Sequence, residues 1–197
     1  MAKGSGDTRG AKSGNSKSSK SWDELKDGWT ASLALYRETD RYSAADVKAF
    51  EREIENSSFT GPLSRATIFY SENEYKSFIN KIEKQGELRT LEDYMAPIDA
   101  QSKVMGFYSK RKRTVVSFSS GTVDPNYMHS DYYDEIGAAY YPVVFRKNNN
   151  RTVHGKYLVS EGEVAVSIKK TKFNVDKITK VRSNDFETGF YTVIDIS

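Results

Sequence analysis

The spacing of the apolar residues changes once along this chain, and that change limits the folds open to it. In the first half, apolar residues recur at helical spacing: Leu25, Trp29, Leu33 and Tyr36; Val47, Phe50 and Ile54; Tyr75, Phe78, Ile79 and Ile82. Each run is preceded by a serine three residues before an acid, in Ser21-Trp-Asp-Glu24, Ser43-Ala-Ala-Asp46 and Ser71-Glu-Asn-Glu74. With Glu as the acid this is the capping box, in which hydroxyl and carboxylate satisfy the free N–H groups of the first turn. Three helices are therefore expected, the third stopped at Gly86. A weaker helix is expected over Asp99–Tyr108.

The second half favours strands. Thr114–Ser119, Pro142–Phe145, Lys156–Val159, Glu163–Ile168, Phe173–Ile178 and Phe190–Ile196 are short, partly alternating and rich in Val, Ile, Phe and Tyr. Ala66–Tyr70 reads as an earlier strand between the second and third helices, and Gly121–Ala139 as an irregular excursion. Helices first and strands later give an α+β fold, with N-terminal helices followed by a mixed, mostly antiparallel sheet.

Charge divides the chain further. Residues 1–20 carry five cations against the single acid Asp7, whereas the other 177 residues carry 25 cations against 26 acids. The net charge of +3 thus lies in a Gly/Ser/Lys tail, read as flexible over 1–20, and a single domain is expected over 21–197. Its helical part spans 21–60 and its core 61–197. A near-neutral domain argues against a nucleic-acid-binding protein, except for weak contact through the tail or the run Lys110-Arg-Lys-Arg113. The absence of cysteine excludes disulfides and thiol chemistry, and two histidines make a metal site unexpected. No apolar run is long enough to span a bilayer and no signal peptide is visible, so a soluble chain with no membrane partner is expected.

Three segments hold candidate chemistry. In Ser160-Glu-Gly-Glu163-Val-Ala-Val-Ser-Ile168, strand alternation sends Val164, Val166 and Ile168 to one face and Glu161, Glu163 and Ser167 to the other. Two close carboxylates tend to hold their pKa values apart, which suits paired acid and base roles; a solvated Glu-rich edge is the plain alternative. In Thr114-Val-Val-Ser-Phe-Ser119, Ser117 and Ser119 share a face opposite Val116 and Phe118, and can bind a ligand or position a carboxylate. Arg65, at the start of a strand, presents a guanidinium suited to a diphosphate.

Taken in order, these pieces resemble the mono-ADP-ribosyltransferases of the Arg, Ser-x-Ser, Glu-x-Glu type, in particular the small domains of phage and polymorphic toxins. Arg65, Ser117-Phe-Ser119 and Glu161-Gly-Glu163 stand in the family's order, and Glu163–Val175 resembles its passage from acidic pair through a basic turn to the next strand. Ala66 stands where the family usually has Gly, and Phe118 where it has Thr. An alternative register matches Asp93–Ile98 to the serine strand, with Asp99–Tyr108 as the helix that follows.

The resemblance implies a split sheet and transfer of ADP-ribose from NAD to a protein side chain, without a metal. Glu163 would stabilise the oxocarbenium-like transition state and hold a ribose hydroxyl. Glu161 would orient or deprotonate the acceptor, and a Glu there implies an Arg acceptor. Arg65 would hold the diphosphate, while Ser117 and Ser119 would position Glu163 or the ribose. The protein would act as a toxin or effector in a host cytoplasm, or be carried on a virion. The alternative function is a virion-associated or interaction protein that keeps the fold without turnover.

Overall fold

The computed structural model describes residues 17–31, 43–96, 114–127, 137, 139–158 and 162–197. Three helices, α1 (Trp22–Ala31), α2 (Ala44–Glu55) and α3 (Glu72–Gln85), accompany a short 3₁₀ turn, η1 (Leu91–Tyr94). The strands are β1 (Phe59–Thr60), β2 (Leu63–Phe69), β3 (Glu87–Leu88), β4 (Val115–Ser119) and β5 (Tyr141–Lys147). They continue with β6 (Thr152–Val153), β7 (Gly155–Tyr157), β8 (Glu163–Ser167), β9 (Phe173–Arg182) and β10 (Phe190–Ile196). The expected Asp99–Tyr108 helix, the Lys110–Arg113 run and most of the Gly121–Ala139 excursion lie outside the described residues.

All three serines work as caps, though not equally. Ser21 N donates to the Glu24 carboxylate at 2.7 Å and its hydroxyl accepts from Glu24 N. Ser43 forms the same reciprocal box with the shorter Asp46. Ser71 accepts from Glu74 N without the return bond. Gly86 ends α3 in the left-handed region at φ 68°, a backbone that costs glycine little. Asp46 also meets two residues of the expected tail: its carboxylate accepts from Ser18 Oγ at 2.5 Å and pairs with Lys20 Nζ at 2.8 Å. Sequence reasoning placed both residues in a Gly/Ser/Lys run because neither is apolar, and their partner is the buried capping acid itself.

Eight strands form one sheet in the order β3-β9-β10-β5-β2-β4-β8-β7, and β1 pairs with β6 beside it. Every ladder is antiparallel except β5–β10, so the sheet is mixed and mostly antiparallel as expected. One face carries the main core: Leu63, Phe69, Phe118, Phe145, Val164, Val166 and Phe173 pack with Tyr75, Phe78 and Ile82 of α3. Val115 and Ala165 leave β4 and β8 on the opposite face and meet Leu25, Phe50 and Ile54 of α1 and α2. The face bearing Glu163 is thus partly apolar and covered by the N-terminal helices, which alternation alone does not reveal.

Tyr94, fully buried at the end of η1, contacts the rings of Phe118, Phe145 and Phe173 at centroid distances of 6.0, 5.9 and 6.4 Å. Among the described residues its hydroxyl has no hydrogen-bond partner, and burial pushes the phenol's pKa up. An unpaired buried hydroxyl costs roughly 1–3 kcal/mol, part of which its removal recovers. Tyr94→Phe is therefore expected to leave folding stability unchanged or raise it by about 1 kcal/mol, read from the denaturant midpoint at constant slope. A loss larger than that would mean that the hydroxyl is satisfied.

Candidate active site

The sheet forks at its centre. β2 pairs with β5 along its whole length, from Leu63 opposite Lys147 to Phe69 opposite Tyr141. Against β4 it makes a single pair, Ser64 opposite Ser119, after which the two strands part. β4 continues beside β8, with Ser119 opposite Glu163 and Ser117 opposite Ala165. Thr114 O and Ser120 N bond toward the β8 side. By alternation, the Ser117 carbonyl then points toward the fork, where β2 no longer supplies a partner.

Arg65 fills that position. Its Nη1 donates to the Ser117 carbonyl at 2.8 Å and its Nε to the Tyr94 carbonyl at 3.1 Å. The Ser117 hydroxyl donates in turn to Glu163 Oε1. One bonded path thus joins β2, β4 and β8 through three of the residues singled out in the sequence. Ser119 sits in register between Ser64 and Glu163, and its hydroxyl accepts from Gly121 N at 3.3 Å. Glu163 and Arg65 are both half-buried, between the aqueous rim and the core.

Arg65 and Glu163 lie on different faces of the sheet. Arg65 lies opposite Phe145, a residue of the aromatic core, so its side chain leaves β2 on the core face and reaches Ser117 through the fork. Glu163 leaves β8 on the other face, with Ala165 and Ser117. The guanidinium accordingly spends two N–H groups on backbone carbonyls, in the place where the resemblance expects a diphosphate. Glu161 lies outside the described residues.

The structure adds Ser64 and Tyr94 to the site. Ser64 stands on the Ser119 and Glu163 row, and its hydroxyl donates to the Gly121 carbonyl. Its position next to Arg65 in a strand was a usable signal for the opposite face. Tyr94 contributes only a main-chain carbonyl, for which no side-chain pattern exists. Both serine registers considered in the sequence therefore meet at Arg65: Ser117 supplies one carbonyl, and the Asp93–Ile98 segment the other. That second segment is also tied to β2 through Ala96 N, which donates to Thr67 Oγ1 at 2.5 Å.

Asp93 anchors η1. Fully buried, its carboxylate accepts from Lys81 Nζ at 2.5 Å, Arg89 N at 2.7 Å, Thr90 N at 2.9 Å and Gln85 Nε2 at 3.0 Å. Burial opposes its ionised form, but these four donors outweigh it and hold the carboxyl below the usual carboxylate range. Among the described residues, no group of three or more His, Asp or Glu side chains is placed to hold a metal ion. No described helix is long and apolar enough to cross a membrane.

No protein-family model and no curated protein matches the chain. Comparison with solved structures returns ADP-ribosyltransferases. C3larvin toxin from Paenibacillus larvae is 14% identical, with 89% of this chain and 94% of that one covered at a TM-score of 0.43. Vis toxin from Vibrio splendidus is 14% identical, covering 89% of this chain and 72% of its own at 0.37. BECa, the ADP-ribosylating toxin of a C. perfringens binary enterotoxin solved with NADH, is 14% identical, covering 88% and 38% at 0.33.

Proposed function

We propose that the chain is an NAD-dependent mono-ADP-ribosyltransferase that acts on a protein side chain, with Glu163 as its central catalytic group. The observation that carries this reading is the bonded path Arg65–Ser117–Glu163 at the fork of the sheet. A carboxylate held by a neighbouring hydroxyl keeps a fixed orientation. Cleavage of the bond between nicotinamide and ribose develops positive charge at the ribose carbon, and such a fixed negative group lowers that barrier without reorganising. Nicotinamide departs with the bonding pair, and the acceptor's nucleophilic atom forms the new bond to the same carbon and loses its proton.

The remaining roles follow the same reading. Ser117 and Ser119 position Glu163 and the ribose. Arg65 meets the diphosphate by exchanging at least one carbonyl partner when NAD binds, and Glu161 receives the acceptor's proton, the acceptor being Arg. No metal takes part. A toxin or effector role in a host cell, or carriage on a virion, belongs to the same proposal.

Incubation with NAD tests it. Nicotinamide release, together with transfer of a tagged ADP-ribose to added protein, is expected. A folded protein that neither binds NAD nor releases nicotinamide would instead favour a non-catalytic interaction protein of the same fold.

A further inference from the structure

By alternation, Leu63, Arg65, Thr67 and Phe69 share the core face of β2, so two polar residues stand there between two fully buried apolar ones. Thr67 is itself buried and lies opposite Val143 of the main core. A hydroxyl in such surroundings is costly unless it is bonded. The bond it makes is to the main chain, where Thr67 Oγ1 accepts from Ala96 N at 2.5 Å. Two residues back along the same segment, the Tyr94 carbonyl accepts from Arg65 Nε at 3.1 Å. Met95, between them, is extended at φ −131° and ψ 144°. In an extended chain the C=O before a residue and the N–H after it point to the same side. β2 meets that pair with one donor and one acceptor, two residues apart. Beyond Ser64, where β2 no longer pairs with β4, its side chains thus make the bonds of a short ladder to Tyr94–Ala96.

From this geometry we infer that Thr67 is a positioning residue for Arg65, and through Arg65 for the diphosphate of NAD. This rests on the transferase reading. The Tyr94 ring is held among Phe118, Phe145 and Phe173, but the direction of its carbonyl depends on the extended backbone at Met95. The Thr67 bond to Ala96 fixes that backbone from its far side. Nε lies at the base of the guanidinium, so the Tyr94 carbonyl holds the arm while Nη1, now on the Ser117 carbonyl, turns to the incoming diphosphate. Without the Thr67 hydroxyl the Ala96 N–H loses its acceptor, the segment turns to find another, and the Tyr94 carbonyl leaves Nε. The ordering of Arg65 then has to be met when NAD binds, which weakens binding and leaves the chemical step alone.

The test uses the full chain with three substitutions. Thr67→Val keeps the side chain's shape and removes the acceptor, and Thr67→Ser keeps the hydroxyl. Ala96→Pro removes the donor of the same bond, and the residue before a proline favours the extended backbone that Met95 already has. Thr67→Val and Ala96→Pro are each expected to raise the KM for NAD in nicotinamide release about tenfold, with kcat changed by less than about twofold. ADP-ribose binding, read by calorimetry, is expected to weaken by the same factor, and Thr67→Ser to restore both. A merely structural role would lower the folded fraction, and with it the apparent kcat, and leave KM in place. In an Arg65→Ala background Thr67→Val is expected to cause no further loss of ADP-ribose affinity, since the residue through which it acts is gone. An unchanged or lower KM in either folded variant, or an equal loss with and without Arg65, overturns the inference. Absence of nicotinamide release by the unaltered chain defeats the transferase reading instead, so the two failures are separable.

Discussion

Glu163→Gln is expected to lower nicotinamide release by about 10²–10³-fold, the usual loss when one preorganised stabilising group is removed. The substitution keeps the side chain's size and leaves Ser117 Oγ an acceptor, so the fold is retained. What disappears is the negative charge that the proposed mechanism sets beside the ribose carbon. A drop in turnover with NAD affinity nearly unchanged is the signature of a group that acts mainly in the transition state. Glu161→Gln, in the same assay, is expected to spare slow hydrolysis, in which water is the acceptor, and to suppress transfer to Arg. Full nicotinamide release by a folded Glu163→Gln protein would remove the catalytic role assigned to this carboxylate.

Asp93→Asn is expected to destabilise the fold by on the order of 3 kcal/mol, since it leaves Lys81 and two main-chain N–H groups with a weaker, uncharged partner in a fully buried position. Lys81 itself is half exposed, which keeps the cost below that of a wholly buried pair. The pH dependence has a definite sign. The Asp93 carboxyl is depressed in the folded state, so its contribution is fully present above the unfolded carboxylate pKa near 3.9. It is lost as the pH falls below that value toward the folded pKa. Urea midpoints of the two proteins should therefore differ most near neutrality and converge in acid. A constant difference down to the acid limit would show that Asp93 acts through shape and not through charge.

Local chemistry was legible in the sequence. Serine three residues before an acid marks all three helix starts, because capping is decided within one turn. Gly86 marks the stop of α3 for the same reason. The main strands were visible because β-branched and aromatic residues fit a pleated, half-buried surface, although β9 runs on to Arg182 through a polar stretch that carries no apolar period. Ser117 and Glu163 were found because their faces follow from alternation and their partners are side chains.

What stayed hidden was set by distant backbone. The fork between β2 and β4 depends on where a ladder ends, and no residue type announces that. Arg65 leaves β2 on the core face, and its contact with Ser117 exists only because the strands separate beside it. The contact between Tyr94 and Arg65 is likewise a main-chain event. The β1–β6 pair was missed because two-residue strands leave almost no pattern.

The placement of β10 bears on how this chain reaches its fold. It sits between β9, its antiparallel neighbour, and β5, its parallel partner, and β5 in turn leads to β2 and the fork. The strand that joins the β3–β9 edge to the rest of the sheet is thus the last in chain order, and pairing Val193 with Val144 closes a loop of nearly fifty residues. Loop-closure entropy must be met before such contacts repay it, so this pairing is expected to form late in folding. The capped helices and the β7–β8 hairpin close early on local contacts, whereas the sheet becomes continuous only when β10 docks. Removing residues 190–197 should leave a chain with its helices and the β7–β8 hairpin but a divided sheet.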